Sequence, residues 1–415
     1  MSRSPSDSAL AAKAIRASVP GAETGKHGLS PGNGHVLHIE DDGRTPCSDE
    51  PGRLPCEGQA HHAQQGEEAH PMQRRDGVPR VLRRDGAPRV LRTTDALIEA
   101  GLVQPRDREA LDAVSARYAT AVPPAFADLI EHPDDPIGRQ VIPDARELHT
   151  APHEQADPIG DDALSPIPGI VHRYPDRALL KPLLVCPLYC RFCFRREHVG
   201  PGGGVLSDED LTRALAWLRA RPAITEVILT GGDPLMLSPR RLREIISALS
   251  SMDHVRTIRI HTRVPVADPA RVSGDMLDAL ETDRAMWVVV HANHARELTP
   301  DARAALRRIQ SRAIPVLGQS VLLRGVNDTP EALEALLRAL VTARVKPYYL
   351  HQLDAAPGTS HFHVPIGEGR ALLASLRGRV TGLAWPTYVL DIPGGHGKVP
   401  LGPEYRDRDG RWIPA

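Results

Sequence analysis

The spacing of apolar residues divides the chain into stretches of different character. Through residue 92 they are scattered among Gly, Pro, Ser, His and charged residues with no lasting period. Such a leader buries too little surface to offset the entropy of ordering and is expected to be disordered. From Thr93 to about residue 165, TTDALIEAGLV (93–103) and PRDREALDAVSARYA (105–119) predict short amphipathic helices that open an N-terminal helical region. Over residues 166–352 strand-like apolar runs alternate with helical patterns. Strands are predicted at 179–185, 224–230, 255–260, 286–291, 314–321 and 346–351. Helices are predicted between them, in SDEDLTRALAWLRAR, PRRLREIISALS, SGDMLDALE, TPDARAALRRIQSR and PEALEALLRALVTAR. Ser207, followed three residues later by Asp210, has the signature of a capping box. This alternation implies parallel βαβ units. It fits either a doubly wound sheet or a partial barrel, and in both the active site belongs at the carboxyl ends of the strands. Residues 353–415 form a C-terminal segment.

Charge narrows the function classes. The 51 Lys and Arg nearly cancel the 52 Asp and Glu, so the basic excess of a nucleic-acid binder is missing. No apolar run is long enough to span a membrane, and the N-terminus lacks the apolar core of a secretory signal. A cytoplasmic protein is expected. Five cysteines are too few for a disulfide framework in 415 residues. Of the basic residues only Lys13, Lys26, Lys181, Lys346 and Lys398 are lysines. Where Lys persists against an Arg background, chemistry that Arg cannot perform is worth seeking, above all a Schiff base. Within the leader, RRDGVPRVL (74–82) and RRDGAPRVL (83–91) form a tandem duplication, too short for a solenoid. Cys47 and Cys56, in the same stretch, read as incidental thiols. The 71 residues before Met72 are expected to be dispensable.

The first predicted strand runs into Cys186-Pro-Leu-Tyr-Cys190-Arg-Phe-Cys193. Three thiolates this close can hold three irons of a cubane and leave the fourth iron open, whereas an electron-transfer [4Fe–4S] centre wants four cysteines. No cysteine follows Cys193. An open iron can chelate the amino and carboxylate groups of S-adenosylmethionine (SAM), and one electron then releases a 5′-deoxyadenosyl radical. A zinc site with His198 as fourth ligand is the competing reading. The spacing and position resemble the radical SAM superfamily, which implies an α/β fold with a partial (βα)6 TIM-type barrel, an N-terminal helical extension and a C-terminal cofactor-binding segment. Thr230-Gly231-Gly232-Asp233-Pro234 resembles the glycine-rich motif that holds the methionyl amino group there, with Asp233 as an acceptor. His261, Arg263, His291, Asn293 and Gln319, at or just past later strand ends, are candidate SAM contacts.

Near the C-terminus stands Asp391-Ile392-Pro393-Gly394-Gly395-His396-Gly397-Lys398. A Walker loop would open a helix, which Val399-Pro400 forbids. The loop resembles that of the lysine 2,3-aminomutase family, with His396 in place of a glycine. In that family the lysine, here Lys398, carries pyridoxal phosphate. Arg173-Tyr174-Pro175-Asp176-Arg177 resembles the family's RYPDR element, whose Arg and Tyr side chains contact the cofactor; this implies Arg173, Tyr174 and Arg177. Arg195 matches the arginine that grips the substrate carboxylate, a task suited to a bidentate guanidinium. Asp354 and Asp391 match the two acids that clasp the side-chain ammonium of lysine. The resemblance spans residues 93–405.

It implies an isomerase that interconverts L-α-lysine and β-lysine by radical-initiated 1,2-amino migration. The implied cofactors are a [4Fe–4S] cluster, SAM and pyridoxal phosphate. A small amino acid, a flavodoxin- or ferredoxin-like electron donor and a homo-oligomer are the implied partners. Family members with structural zinc use a cysteine where Thr329 stands and a cluster beyond the glycine loop, so no zinc and no zinc-mediated subunit linkage are expected. Three alternatives stay open. The substrate is another amino acid (arginine, ornithine or glutamate, the last disfavoured by Asp354 and Asp391), or a lysine within a protein or peptide, or the chain is a non-catalytic iron–sulfur or zinc-binding module.

Overall fold

A computed structural model describes residues 89–200, 202–394 and 397–402. The expectations for residues 1–88, including Cys47, Cys56 and most of the tandem duplication, lie outside the described residues, as do Gly395 and His396. Among the described residues nine strands form one sheet in chain order: β1 (Ile170–Tyr174), β2 (Arg177–Leu183), β3 (Glu226–Gly231), β4 (Thr257–Thr262), β5 (Ala285–His291), β6 (Val316–Val321), β7 (Lys346–His351), β8 (Thr387–Ile392) and β9 (Gly397–Pro400). Strands β2 to β8 are parallel. β1 pairs antiparallel with β2, and β9 antiparallel with β8. The α/β partial barrel expected of a radical SAM protein is thus present, with all six expected strands. The structure adds a seventh parallel strand, β8, and a hairpin at each edge.

Helices connect the strands by a repeated local device. Ser238-Pro239, Thr299-Pro300 and Thr329-Pro330 each put a hydroxyl at the N-cap and a proline in the first turn, where a missing N–H costs nothing. Helix Pro239–Ser250 buries Leu242, Ile245, Ile246 and Leu249, and helix Pro330–Thr342 buries Leu333, Leu336, Leu337 and Leu340. Both sets have the i, i+3, i+4, i+7 spacing of one helical face, and each buried leucine contributes about 2 kcal/mol. Ser207 caps helix Asp208–Arg219 as expected, accepting from Asp210 N at 3.0 Å. The other half of the box differs: the Asp210 carboxylate takes the Ser207 hydroxyl, not the Ser207 N–H. Aspartate is one methylene shorter than the glutamate this motif uses.

The two edges of the sheet face each other. Arg173 of β1 bonds Asp391 of β8, and Lys398 N of β9 donates to the Tyr174 hydroxyl at 3.0 Å. Gly397 makes this approach workable. Its φ is +65°, and a Cβ there would collide with the Tyr174 hydroxyl.

Ahead of the barrel lie helices Thr94–Glu99 and Arg108–Arg117 and several single turns. Leu91 is buried and pairs with Val122. Glu147, with no exposed surface, receives the guanidinium groups of both Arg191 and Arg196. Gln140 O accepts from Arg191 N at 2.9 Å, and the Glu154 carboxylate accepts from the backbone N–H groups of Gly358, Thr359 and Ser360. The N-terminal region is thereby bonded both to the cysteine loop and to the segment after β7. No helix among the described residues is long and apolar enough to cross a membrane.

Candidate active site

One cavity of about 590 Å³ occupies the barrel interior. Its lining gathers side chains from the cysteine loop and from the ends of β3 to β8: Cys186, Cys190, Cys193, Arg195, Gly232, Asp233, His261, His291, Gln319, His351, Asp354, Asp391 and Lys398. It also reaches Arg173, Tyr174 and Arg177, because Tyr174 pairs with Arg177 across a two-residue turn. The Arg177 guanidinium lies 3.7 Å from the centre of the Tyr174 ring, a cation–π contact.

At one end the three cysteines are free thiols. Burial pushes the Cys186 thiol well above its usual range, with Asp233 and the neighbouring thiols adding to the effect. Burial and Cys190 push Cys193 up to about 11. Thiolates here call for a compensating positive charge, which bound iron supplies. Among the described residues no three His, Cys, Asp or Glu side chains converge as ligands of one metal ion. A cubane does not require that convergence, since each thiolate binds a different iron. Arg263 Nη1 donates to Cys190 Sγ at 2.8 Å, and Arg263 Nη2 to Gln140 Oε1 at 2.5 Å and Glu297 Oε2 at 3.0 Å.

Several expected SAM contacts are already committed to protein. Asp233 was expected to accept from a ligand ammonium. It is buried, Oδ1 accepts from Leu235 N and the Thr262 hydroxyl, and Oδ2 accepts from Arg263 N and Val264 N. With two donors on each oxygen it is a strut between β3 and β4, not a free acceptor. Both Nη atoms of Arg263 are likewise occupied. Asn293, with no exposed surface, accepts from Val321 N at 2.9 Å and lies 3.1 Å from His291 Nε2, so it positions His291. Gly232 was expected to admit a ligand. The space of its Cβ is filled by the backbone of Val185, whose carbonyl accepts from Asp233 N at 2.9 Å. The glycine lets the tip of β3 close on the cysteine loop. Gly231 precedes it at the end of β3. His291 and Gln319 remain on the cavity wall. Burial holds His291 down at about 3 and His261 and His351 well below the usual range, so all three are neutral imidazoles at neutral pH.

At the other end the charges alternate. Arg195 Nε and Nη2 both donate to Asp161 Oδ2, at 3.1 and 2.7 Å. Arg173 Nη2 lies 3.4 Å from Asp161 Oδ1, and Arg173 Nη1 donates to Asp391 Oδ1. Asp391 Oδ2 takes Lys398 Nζ. Burial alone would raise the Asp161 carboxyl, but Arg195, then Lys181 and Arg173, hold it below the usual range. Asp354 goes the other way: burial, reinforced by Asp391, pushes it up to about 7, against the pull of Lys398, Arg195 and Arg173.

Sequence reasoning missed Asp161, Glu226, Arg259, Tyr349 and His351. Asp161 carried no local signal, since its side-chain partners lie 12 and 34 residues away. Arg259 and His261, like Tyr349 and His351, are two residues apart on strands, and polar residues at that period on apolar strands mark an inward face. Arg259 Nε lies 3.0 Å from Glu226 Oε1 at an angle that makes an ion pair without a hydrogen bond, and His261 Nε2 is buried without a partner.

Comparisons with known proteins agree with this geometry. A family model described as Radical SAM superfamily matches residues 180–340, and one described as Lysine-2,3-aminomutase matches residues 373–407. The chain is 37% identical over 303 residues to L-lysine 2,3-aminomutase of Acetoanaerobium sticklandii, covering 72% of this chain and 73% of that protein. It is 40% identical over 291 residues to L-lysine 2,3-aminomutase of Methanococcus maripaludis, covering 69% and 67%. Glutamate 2,3-aminomutase of Clostridioides difficile is 32% identical over 313 residues, covering 75% and 74%. The radical SAM match implies a [4Fe–4S] cluster and SAM, which the three free thiols on the cavity wall fit. Motif, barrel and relatives converge, and the chain belongs to the lysine 2,3-aminomutase family of the radical SAM superfamily.

Proposed function

We propose that this chain is an isomerase that moves the α-amino group of L-lysine to C3, with pyridoxal phosphate held on Lys398. The observation that carries the reading is one cavity that gathers Arg195 with the acidic pair Asp354 and Asp391 and with Lys398, which Asp391 bonds. The buried, partnerless His261 Nε2 and the incompletely bonded Arg259 Nε in the same wall suit a polar cofactor. When bound, the cluster with SAM supplies radical chemistry and pyridoxal phosphate supplies the π system through which an amino group migrates.

The chain's own side chains do the rest. Arg195 receives the substrate carboxylate through a paired contact. Asp354 and Asp391 receive the ε-ammonium. Lys398, committed to the cofactor, no longer neutralises Asp391. Cys186, Cys190 and Cys193 hold the irons, and His291 and Gln319 form the SAM side. Tyr174, fixed by Lys398 N, and Arg173 and Arg177 border the cofactor lysine. A glutamate side chain would set a third carboxylate against Asp354 and Asp391, an arrangement that costs binding through like-charge repulsion. A one-electron donor of the flavodoxin or ferredoxin class and a reducing, cytoplasmic compartment complete the reading.

The test is an anaerobic assay of enzyme reconstituted with iron, sulfide and pyridoxal phosphate, supplied with SAM and a reductant. Lysine, arginine, ornithine and glutamate are compared. β-Lysine formation with the highest kcat/KM is expected; preferential turnover of any of the other three overturns the substrate assignment.

A further inference from the structure

We infer that Asp161 is a positioning residue for substrate recognition: it grips the side edge of the Arg195 guanidinium and leaves the terminal Nη1–Nη2 edge for the substrate carboxylate. The inference rests on the proposed role of Arg195. A guanidinium has two edges that can take a carboxylate bidentately. Asp161 Oδ2 occupies the one formed by Nε and Nη2, at 3.1 and 2.7 Å. The ring of Phe194, 4.2 Å from the guanidinium carbon, supports its face. Only the terminal edge stays free of these contacts.

Asp161 is itself held rigidly. Asp157 Oδ1 accepts from Asp161 N and Asp157 Oδ2 from Asp162 N, both at 2.8 Å, and Asp161 O accepts from the Ser165 hydroxyl at 2.8 Å. The side chain is 8% exposed. Its second oxygen faces Arg173, which in turn holds Asp391.

The experiment compares two ligands on reconstituted enzyme: lysine, through its KM, and 1,5-diaminopentane, which lacks the carboxylate, through its inhibition constant. Asp161→Asn, nearly isosteric, should raise the lysine KM about tenfold to a hundredfold, as expected for a lost charge-assisted bond. Its kcat should change much less, and the diaminopentane constant and iron content should stay as in the parent. If that variant does not fold, Asp161→Glu, which keeps the charge but displaces the guanidinium, serves in the same comparison. Equal weakening of both ligands, or of neither, overturns the inference. Arg195→Gln separates the two ideas. If it raises the lysine KM while the Asp161 variant does not, only the inference falls; if it leaves the lysine KM unchanged, the role proposed for Arg195 falls with it.

Discussion

The cysteine end and the amino-acid end of the cavity are built on opposite principles. The three cysteines come from eight consecutive residues, on a loop clamped by a buried carboxylate that takes two arginines. Polar groups around that loop are spent on protein: Asp233 on four donors, and the two Nη atoms of Arg263 on a sulfur, an amide and a carboxylate. The amino-acid end draws on residues 161, 173, 195, 354, 391 and 398. Its charges pair in an alternating chain, and Asp354 stays in the cavity with a raised pKa. A site that must hold a metal cluster for the life of the protein is rigid and satisfied. A site that must accept and release a charged substrate keeps charges that a ligand can take over.

The largest effect should come from breaking the rigid end. Cys186→Ser, Cys190→Ser or Cys193→Ser should abolish cluster assembly and SAM cleavage, read as iron content and 5′-deoxyadenosine formation. Ser at any of the three with full iron content would refute the assignment of that cysteine. Lys398→Ala, or Lys398→Arg, should eliminate borohydride-trapped pyridoxal while the iron–sulfur absorption survives. Trapping on Lys181 or Lys346 instead would move the cofactor elsewhere.

A smaller and more discriminating effect concerns Asp354. Its folded pKa of about 7 lies above the roughly 3.9 of an unfolded aspartate. The folded state therefore holds the extra proton between these values, and the stability contribution of this group falls as pH rises through about 7. Recognition of an ammonium has the opposite sign, because it needs the ionised form. The kcat/KM for lysine should fall about tenfold for each pH unit below the pKa, and Asp354→Asn should remove that limb along with most lysine affinity. A pH profile unchanged in Asp354→Asn would detach the limb from this residue.

The smallest effect tests the seam between the sheet edges. Gly397→Ala sets a Cβ against the Tyr174 hydroxyl at a positive φ. It should destabilise the enzyme by about 1 kcal/mol or more, lower its melting temperature by a few degrees and weaken pyridoxal retention, with iron content unchanged. Full pyridoxal retention at the parent melting temperature would show that the seam tolerates the side chain.

How much was legible differs between the two ends for the same reason that they differ in construction. The strands, the helix start at Ser207 and the cysteine triplet are local patterns. β8 was missed because TYVLDI alternates burial only weakly and stands within a segment dominated by its glycine loop. The roles expected for Asp233 and Gly232 were plausible for their motif, yet neighbouring backbone had already claimed both.

The linear chain by itself determined the alternation that makes a parallel barrel, the donor set for a cluster and the presence of a single lysine beside a glycine loop. Periodicity and short spacing are properties of consecutive residues, so they survive without a fold. Only the tertiary structure decided which charges are shared. Asp161 meets Arg195 across 34 residues, and Arg173 meets Asp391 across 218. Curling the sheet until β1 faces β8 and β9 puts Arg173 and Asp391 within bonding distance. Pairing, burial and the resulting pKa shifts depend on that distance, which sequence separation does not encode.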